Sequence, residues 1–512
     1  MTTIPPKAEK NRILLDLKPA LDGYAGIPQE TRLLFRGLRS MNSCEVEGLI
    51  QHGSRKLRSA VPPRGKKLPV SKQINRLSRV IVSVYEKPYS NVFDTVIDAI
   101  DHYFSRSLLR GRAFVGLSLH PGVFESDLFD DFIWRTFFNK TLTSRDKALV
   151  TSARYRVLNA PRRLLHQVGL AGIKYSSAPT YVKLDTRGFD YFLAQTPFPA
   201  RVSRGTQMIV RYHDAVPVLL PHTINDKAFH QASHFYALQQ NVYSRAWFSC
   251  VSEATRRDLL KIFPQVESRS SVIHNIVSAE YFDEDTPKGL IVQIVGNRLA
   301  SVAEFETNIG GISRSDEKVG QRHGFDYLLM VSTLEPRKNH VLLLSAWEHL
   351  KYTSMPDLKL VIVGSAGWDS ASILRGFKPW AERGDLFYLN NVPSAELRVL
   401  YKHAAATVCP SVAEGFDYSG IEAMRSGGIV ISSDIPVHRE IYQEASEYFS
   451  PYSTEDAFMV IRRVLSQESA PLRERLRADA RKVSAYYTPK NILPKWEAFF
   501  QEQKETKSKA SA

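Results

Sequence analysis

Short apolar runs alternate with amphipathic stretches along the C-terminal part of the chain. The runs lie at 327–332, 359–363, 386–389, 406–409 and 429–432, and helical periodicity fills 340–351, 370–382, 394–402 and 419–426 between them. Strands without polar alternation are typical of a parallel sheet covered on both faces. The pattern therefore predicts a doubly wound α/β domain, in which ligands bind at the carboxyl ends of the strands.

The N-terminal part opens with the same kind of unit. An apolar run at 12–17, a Gly-bearing loop and an amphipathic stretch at 30–39 predict a strand, a loop and a helix. Later in this part, strands are predicted at 207–212, 246–251 and 271–274, with helices at 227–240 and behind Ser252 as N-cap. The range of about 50–200 is predicted to be a large, partly helical insertion.

A polar, Gly-rich stretch at 283–324 predicts a linker or insertion, with a domain boundary near residue 322. We therefore expect an N-terminal domain at 1–322, a C-terminal domain at 323–485, and a tail at 486–512 that contains a helix at 489–504. The length of 512 residues also favours two large domains over a single core.

Composition narrows the class of protein. With 43% hydrophobic and 24% charged residues, the chain is typical of a soluble globular protein. Its three cysteines are far apart, which argues against a disulfide framework or a zinc site and favours core thiols in a reducing compartment. The polar N-terminus and the lack of an apolar run of membrane length predict a cytoplasmic protein.

The charge is strongly basic and locally uneven. The net charge is +15, and 54–80 carries nine Lys or Arg without a single acidic residue. This stretch is either a solvated loop or a surface for anionic lipid head groups or an anionic glycan. No aromatic residues are interleaved, so nucleic acid is not an expected partner. The second alternative predicts peripheral contact with the inner face of the cell membrane.

Candidate chemistry concentrates at two turns of the C-terminal domain. Glu414 and Glu422 flank a Gly-containing turn between a strand and a helix, where free backbone N–H groups and carboxylates meet phosphate and hydroxyls. Arg337 and Lys338 precede the helix at 340–351 and fit a diphosphate clamp. A nucleotide sugar has the hydroxyls and the diphosphate that these two turns could bind. The alternatives are solvated turn cations and a capping box of Ser419 with Glu422.

Taken together, these motifs resemble the retaining, nucleotide-sugar-dependent GT-B glycosyltransferases of family 4. The resemblance is continuous from about 326 to 456 and patchier in the N-terminal half, where it covers the Gly26 loop, 212–214, 251–258 and 272–275. It rests on the motifs at 333–339, 361–364, 410–411, 414–416, 422–424 and 433–436. It implies an α/β GT-B fold, with two Rossmann-like doubly wound domains facing across a cleft.

The resemblance implies roles for individual residues on the donor side. Lys338 matches the lysine on the donor diphosphate, Glu422 the glutamate that holds the ribose, and Glu414 the glutamate against the donor sugar. Sugar and diphosphate would also be lined by the backbone of three consecutive residues, Gly415, Phe416 and Asp417.

On the acceptor side, the resemblance implies that His213 faces the donor sugar and that Gly26 belongs to a loop near the phosphates and the acceptor. Two positions depart from the family pattern. Thr333 stands where many members have a second phosphate-binding arginine, and Arg337 is the candidate replacement. Asp417 stands where a glycine is usual.

Two local patterns have other readings. Without the resemblance, His213 with Asp214 is better explained as an ordinary turn pair, and with it the site interpretation is favoured. The triplet 283–285 matches an Asp-x-Asp metal motif in letters, but it lies in a polar stretch rather than after a strand. We expect no metal and no other cofactor, since the family transfers sugar without one.

The expected activity is retaining transfer of a hexose, with mannose as a family habit, from a nucleotide sugar to a glycan or lipid-linked acceptor in surface-polysaccharide synthesis. The alternatives are a nucleotide-sugar-binding module and an epimerase of the same fold.

Overall fold

The computed structural model describes residues 10–24, 26–51, 68–84, 91–174, 178–306 and 324–511. Residues 54–67 of the basic stretch lie outside the described residues, and most of the rest of it belongs to a helix rather than a loop. The strands are β1 Asn11–Asp16, β2 Cys44–Gln51, β3 Ser118–Leu119, β4 Gly122–Phe124, β5 Tyr155–Leu158, β6 Lys183–Leu184, β7 Tyr191–Ala194, β8 Gln207–Tyr212, β9 Trp247–Cys250, β10 Ser270–Val272, β11 Tyr327–Val331, β12 Lys359–Val363, β13 Leu386–Leu389, β14 Ala406–Cys409, β15 Val430–Ser433 and β16 Ser446–Phe449.

Helices connect nearly all of these strands. They are α1 Ile27–Ser40, α2 Val70–Val84, α3 Val92–Phe114, α4 Asp130–Ile133, α5 Lys147–Thr151, α6 Arg162–Ala171, α7 Val216–Leu219, α8 Lys227–Tyr243, α9 Glu253–Ile262, α10 Leu290–Glu306, α11 His340–Thr353, α12 Ala371–Arg383, α13 Ser394–His403, α14 Tyr418–Arg425, α15 Pro436–Tyr442, α16 Thr454–Leu465, α17 Ala470–Ala485 and α18 Pro489–Ser511.

Two large sheets organise the molecule. The N-terminal sheet has the order β10-β9-β8-β7-β1-β2-β5-β4, and its strands pair in parallel except for β4 against β5. The C-terminal sheet has the order β13-β12-β11-β14-β15-β16 and is parallel throughout. Successive strand residues enter opposite cores, since Ile13 and Leu15 join one apolar cluster and Leu14 another. Parallel sheets buried on both faces explain the unbroken apolar strands.

The range of about 50–200 is not one insertion outside the sheet. Its strands β5 and β7 belong to the N-terminal sheet, where β5 pairs with β2 and β7 pairs with β1. Both runs are only four residues long. Because they are so short and lie between basic and Pro-rich stretches, the sequence pattern did not predict them.

The stretch at 283–324 also differs from the expected linker. Helix α10 lies within it, and Ile291 and Val295 are fully buried in the same cluster as Leu329 of β11. The change from the N-terminal to the C-terminal core thus precedes residue 322. Helix α18 crosses back, and Trp496 packs without exposure in the cluster of Ile13.

All three cysteines are buried and free, as core thiols would be. Among the helices that the structure describes, none combines the length and apolarity that crossing a bilayer demands.

Candidate active site between the two sheets

The predicted cations occupy one short helical turn, Pro336–Lys338, between β11 and α11. The next residue, Asn339, has φ of 62° and reverses the chain into α11. Its side-chain amide donates to the carbonyls of Pro410 at 3.2 Å and Pro451 at 2.9 Å. Because these bonds fix the turn to the loop after β14, both cations point toward the second predicted turn.

Glu414 forms ion pairs with both cations. Its Oε1 pairs with Lys338 Nζ, and its Oε2 lies 3.0 Å from Nη1 of Arg337. The two cationic side chains are only 14% and 19% exposed, so they are not solvated turn residues. Burial raises the pKa of Glu414, but Lys338 and Arg337 outweigh it and hold the pKa below its usual value. Glu414 is therefore ionised and held in place.

Arg337 reaches the site from four residues beyond Thr333. Its Nε lies 3.1 Å from Glu335 Oε2, and its Nη1 also donates to the Ala413 carbonyl at 3.1 Å. A guanidinium fork with two carboxylate partners has a fixed direction. Arg337 is thus oriented beside Lys338 and Glu414.

Asp417 starts helix α14 and rules out the capping box. It has φ of 52°, and its Oδ1 accepts hydrogen bonds from Ser419 N at 3.3 Å and Ser419 Oγ at 2.7 Å. Its Oδ2 lies 3.1 Å from Nε2 of the fully buried His438. Burial raises the pKa of Asp417, but the His438 contact and Lys338 bring it below its usual value. The helix begins at Tyr418, so Ser419 lies inside it. Ser419 is therefore not the N-cap, and Glu422 is not the partner residue of a capping box.

Glu422 bonds instead to the N-terminal half of the chain. Its Oε1 accepts from Nε2 of Gln29 at 2.7 Å, and its Oε2 accepts from the Tyr401 hydroxyl at 3.3 Å. Burial raises its pKa to about 7 despite these bonds. Gln29 lies in the first turn of α1, just after Gly26, whose φ of 71° favours glycine. The Gly26 loop and Glu422 are therefore brought together through Gln29.

His213 meets the glycine turn directly. A Cβ on Gly415 would lie 1.9 Å from the backbone oxygen of His213, so only glycine permits this approach. The ring of His213 is buried, and burial lowers its pKa well below the usual value, which keeps it neutral. Its Nε2 has no hydrogen-bond partner among the described residues. Asp214 accepts from Val216 N at 3.0 Å and is a turn residue.

The Phe416 side chain faces the core and not the turn. It is 3% exposed and packs edge-on against Tyr418 and Tyr487, each with ring centroids 5.2 Å apart. Only the backbone of Phe416 is therefore available to a ligand.

A buried ion pair of the N-terminal half is hydrogen-bonded to the C-terminal half behind this site. Arg211 of β8 lies 3.0 Å from Glu30 of α1, and the two side chains are 0% and 1% exposed. The Tyr418 hydroxyl donates to Glu30 at 2.8 Å from the C-terminal side. The sequence offered no signal for this contact, because Arg and Glu lie 181 positions apart.

A second contact lies at the start of α9. Glu440 accepts from the backbone N–H groups of Glu253 at 2.7 Å and Ala254 at 2.9 Å, and His274 Nε2 lies 3.0 Å away. A carboxylate at a helix N-terminus interacts favourably with the helix dipole. Glu440 thus joins α15 to α9 across the two halves.

The Asp-x-Asp triplet is engaged by cations. Asp283 lies 2.7 Å from Lys402, and Glu284 lies 2.8 Å from Arg398. Within the described ranges, no cluster of His, Cys, Asp and Glu has the arrangement of a metal site.

Comparison with known proteins finds a family model that matches the C-terminal part of the chain. Residues 312–483 match the family model described as "Glycosyl transferases group 1". The C-terminal domain is therefore similar to group 1 glycosyltransferase domains. The model covers about a third of the 512 residues, so it identifies this domain and not the whole chain.

Curated relatives match over the same limited extent. The "Serotype-specific mannosyltransferase WbdA" of Escherichia coli is 34% identical over 168 residues, which are 32% of this chain and 20% of that protein. The "O-antigen chain mannosyltransferase B" of Escherichia coli is 32% identical over 125 residues, which are 24% of this chain and 33% of that protein. The chain thus spans only a fifth to a third of the length of these relatives.

Solved structures match over the whole length. A sucrose-phosphate synthase from Thermosynechococcus elongatus gives a TM-score of 0.55 at 14% identity and covers 97% of this chain and 100% of that one. An alpha,alpha-trehalose 6-phosphate synthase from Burkholderia multivorans gives 0.52 at 10% identity, with 98% and 99% covered. The predicted α/β GT-B fold with two doubly wound domains is confirmed.

Proposed function

We propose that this chain is a retaining glycosyltransferase that moves a hexose, with mannose as the first candidate, from a nucleotide sugar to a glycan or lipid-linked acceptor in surface-polysaccharide synthesis. One observation carries the proposal. Arg337 and Lys338 converge on Glu414 at the carboxyl edge of the C-terminal sheet, next to a glycine turn that contacts His213 of the N-terminal sheet. Carboxyl edges of doubly wound sheets are where such folds bind ligands.

The two cations suit the leaving group of this reaction. When a glycosyl bond to a nucleoside diphosphate breaks, negative charge develops on the phosphate oxygens. Cations held in place by other bonds stabilise that charge without reorganising. Arg337 and Lys338 are held in this way by Glu335 and Glu414. In this proposal they take the role that a metal ion has in other transferases, so no cofactor is required.

Glu422 and Gln29 would form the ribose end of the donor site. A ribose diol donates hydrogen bonds to a carboxylate, and Glu422 is the fifth of eight residues in the helix that follows the glycine turn. Gln29 bonds to the same carboxylate at 2.7 Å, so a ribose would exchange with Gln29 or share Glu422 with it. The N-terminal domain is thereby coupled to nucleotide binding.

At the sugar end, Glu414 and the neutral His213 would flank the anomeric carbon. A carboxylate stabilises positive charge that develops there in an oxocarbenium-like transition state. Its own partners, Arg337 and Lys338, are then released to the diphosphate. Asp417 adds a second carboxylate at a position where the family pattern has glycine, and this proposal gives it a part in donor choice.

Polar atoms at the N-terminal sheet support an acceptor rich in hydroxyls. The side-chain amides of Gln51 and Gln195 and the hydroxyl of Tyr212 have no hydrogen-bond partner among the described residues, although all three side chains are fully buried. They lie at or just after the carboxyl ends of β2, β7 and β8 in the parallel part of the sheet, where β1 separates β2 from β7. Buried polar groups normally have partners. The mannose and polysaccharide assignments come from what the partial relatives are called.

A donor panel with one site variant tests this function. Thermal shift with nucleotide sugars should identify a donor, because a ligand at a hundred times its Kd adds about 2.7 kcal/mol of stability. Transfer to mannose-containing acceptors should then depend on Glu414. Glu414→Ala should abolish transfer, and Glu468→Ala, at an exposed position of the same domain, should not. The product's anomeric configuration, read by NMR, tests retention.

Two results would decide against the proposal. Full transfer by the Glu414→Ala variant would remove this residue from the site. A protein that binds nucleoside diphosphate yet neither hydrolyses nor transfers any donor would be a binding module of the same fold.

A further inference from the structure

Helix α3 exposes an apolar face to solvent. The side chains of Phe93, Ile97, Ile100, Phe104 and Leu108 are 82%, 64%, 52%, 60% and 53% exposed. Their spacing of three and four residues puts them on one side of the helix. An exposed apolar stripe of this length is rare on a monomeric soluble protein and marks an interaction surface.

The opposite face of α3 holds the helix on the protein. Ser105, Leu109 and Ala113 are 1%, 0% and 2% exposed, and Leu109 and Ala113 belong to the cluster that also contains helix α6. Nearer the start, His102 Nε2 lies 2.8 Å from Oε1 of Gln167 on α6. Of these three buried side chains only Leu109 is large, whereas the large apolar side chains of the stripe are exposed. The stripe is therefore not the face by which α3 packs on the core.

Cationic side chains border the stripe, and they would attract the phosphates of anionic lipids. Arg106 and Arg110 are exposed and border the stripe by helical position. The charges of α3 itself balance, with three aspartates in its first part and three arginines in its second.

Sequence charge beyond the described residues has the same sign. Residues 54–67 contain six Lys or Arg and no acid, and the whole chain carries +15. Two such chains would repel each other if the stripes paired face to face. A surface that attracts cations and accepts apolar side chains satisfies both features, and an anionic bilayer interface is such a surface.

We propose that α3 lies in the interface of an anionic membrane, with the stripe inserted below the head groups and Arg106 and Arg110 on the lipid phosphates. The helix then anchors the N-terminal domain in the plane of the bilayer and does not cross it. This inference is independent of the proposed transfer, because it rests on α3 and not on any site residue.

Vesicle flotation of the full chain tests the anchor. We expect binding to phosphatidylcholine vesicles that contain about a third phosphatidylglycerol, and much weaker binding to phosphatidylcholine alone or at high salt. The double variant Ile97→Ser with Phe104→Ser should bind the anionic vesicles about tenfold less or weaker still. The control Val341→Ser with Tyr452→Ser removes exposed apolar side chains from the C-terminal domain, 59% and 84% exposed, and should bind like the parent.

Insertion itself has a spectroscopic readout. The variant Phe104→Trp should show a blue shift of its added indole emission with anionic vesicles, and this variant also serves if the double variant folds poorly. Three results would overturn the proposal: no vesicle binding by the parent, equal loss in the control variant, or an unshifted emission of the Phe104→Trp variant in the bound state. A dimer of the parent that dissociates in the Ile97→Ser, Phe104→Ser variant, without vesicle binding, would assign the stripe to a second copy instead.

Discussion

Replacing Glu422 by glutamine should stabilise the protein at neutral pH while weakening nucleotide binding. Burial raises the pKa of this carboxyl from 4.5 to about 7. Below pH 4.5 the group is protonated in both the folded and the unfolded chain, and folding is unaffected. As the pH rises toward 7, the unfolded chain ionises first, so the folded state loses stability relative to it.

The size of this loss follows from the shift. Each pKa unit corresponds to about 1.4 kcal/mol, so a rise from 4.5 to about 7 makes the loss about 3 kcal/mol by neutral pH. Glutamine has the same shape, accepts from Gln29 through its own Oε1, and does not ionise. At roughly 2 to 4 °C per kcal/mol for a domain of this size, Glu422→Gln should raise the neutral unfolding midpoint by on the order of 5 to 10 °C.

Thermal unfolding from pH 4.5 to 8 measures this difference. The two proteins should unfold together at pH 4.5 and diverge as the pH rises, whereas Glu468→Gln, at an exposed position, should follow the parent throughout. Calorimetry should also show that Glu422→Gln binds nucleoside diphosphate more weakly by about 1.5 kcal/mol, because the diol loses a charged acceptor. Parallel pH profiles of parent and variant would refute the ionisation argument, and unchanged affinity would refute the ribose assignment.

Three further variants probe the neighbouring contacts. Lys338→Ala should weaken nucleoside diphosphate binding by about 1.5 to 3 kcal/mol in calorimetry, and unchanged affinity would remove it from the diphosphate site. Gln29→Ala should tighten the same binding about fivefold, since the ribose no longer competes for Glu422; weaker binding would mean that Gln29 contacts the donor. Burial raises the pKa of Glu440, but the bonds to His274 and the α9 amides lower it by more, so the net pKa is below 4.5. The contribution of Glu440 to stability is therefore present above pH 4.5 and lost in acid. Glu440→Gln should therefore lower the unfolding midpoint at pH 7 and show a shallower fall below pH 4.5, and identical profiles would contradict this.

The sequence was sufficient where one local pattern determines the element. Strands β12, β13 and β14 have the predicted bounds, because unbroken apolar runs between helical patterns leave few alternatives. Strand β16 was not predicted, since its SEYF sequence at the sheet edge is half polar. Helix α10 was missed because a short apolar run was averaged with polar residues on both sides.

The site divides in the same way. Turn residues such as Lys338 and Glu414 are visible because they follow strands, and the structure brings them into contact. Gln29 carries no local signal, since its role depends on a carboxylate 393 positions away. The capping box at Ser419 was wrong because Asp417 adopts a positive φ and is the N-cap, so the helix begins two residues earlier than that box requires.

The charges at the site limit how a donor enters under the proposed function. Arg337 and Lys338 form ion pairs with Glu335 and Glu414. Asp417 is a third carboxylate, close enough to Lys338 for the ammonium charge to lower its pKa. A diphosphate cannot simply join this group, because carboxylates already neutralise both cations. Of the three, Asp417 is held by His438 and Glu335 forms its ion pair with Arg337, whereas Glu414 pairs with both cations and borders the glycine turn. Movement of Glu414 from the cations to the sugar would let the diphosphate take its place, so one carboxylate would both keep the cations positioned and turn to the anomeric carbon when the donor binds.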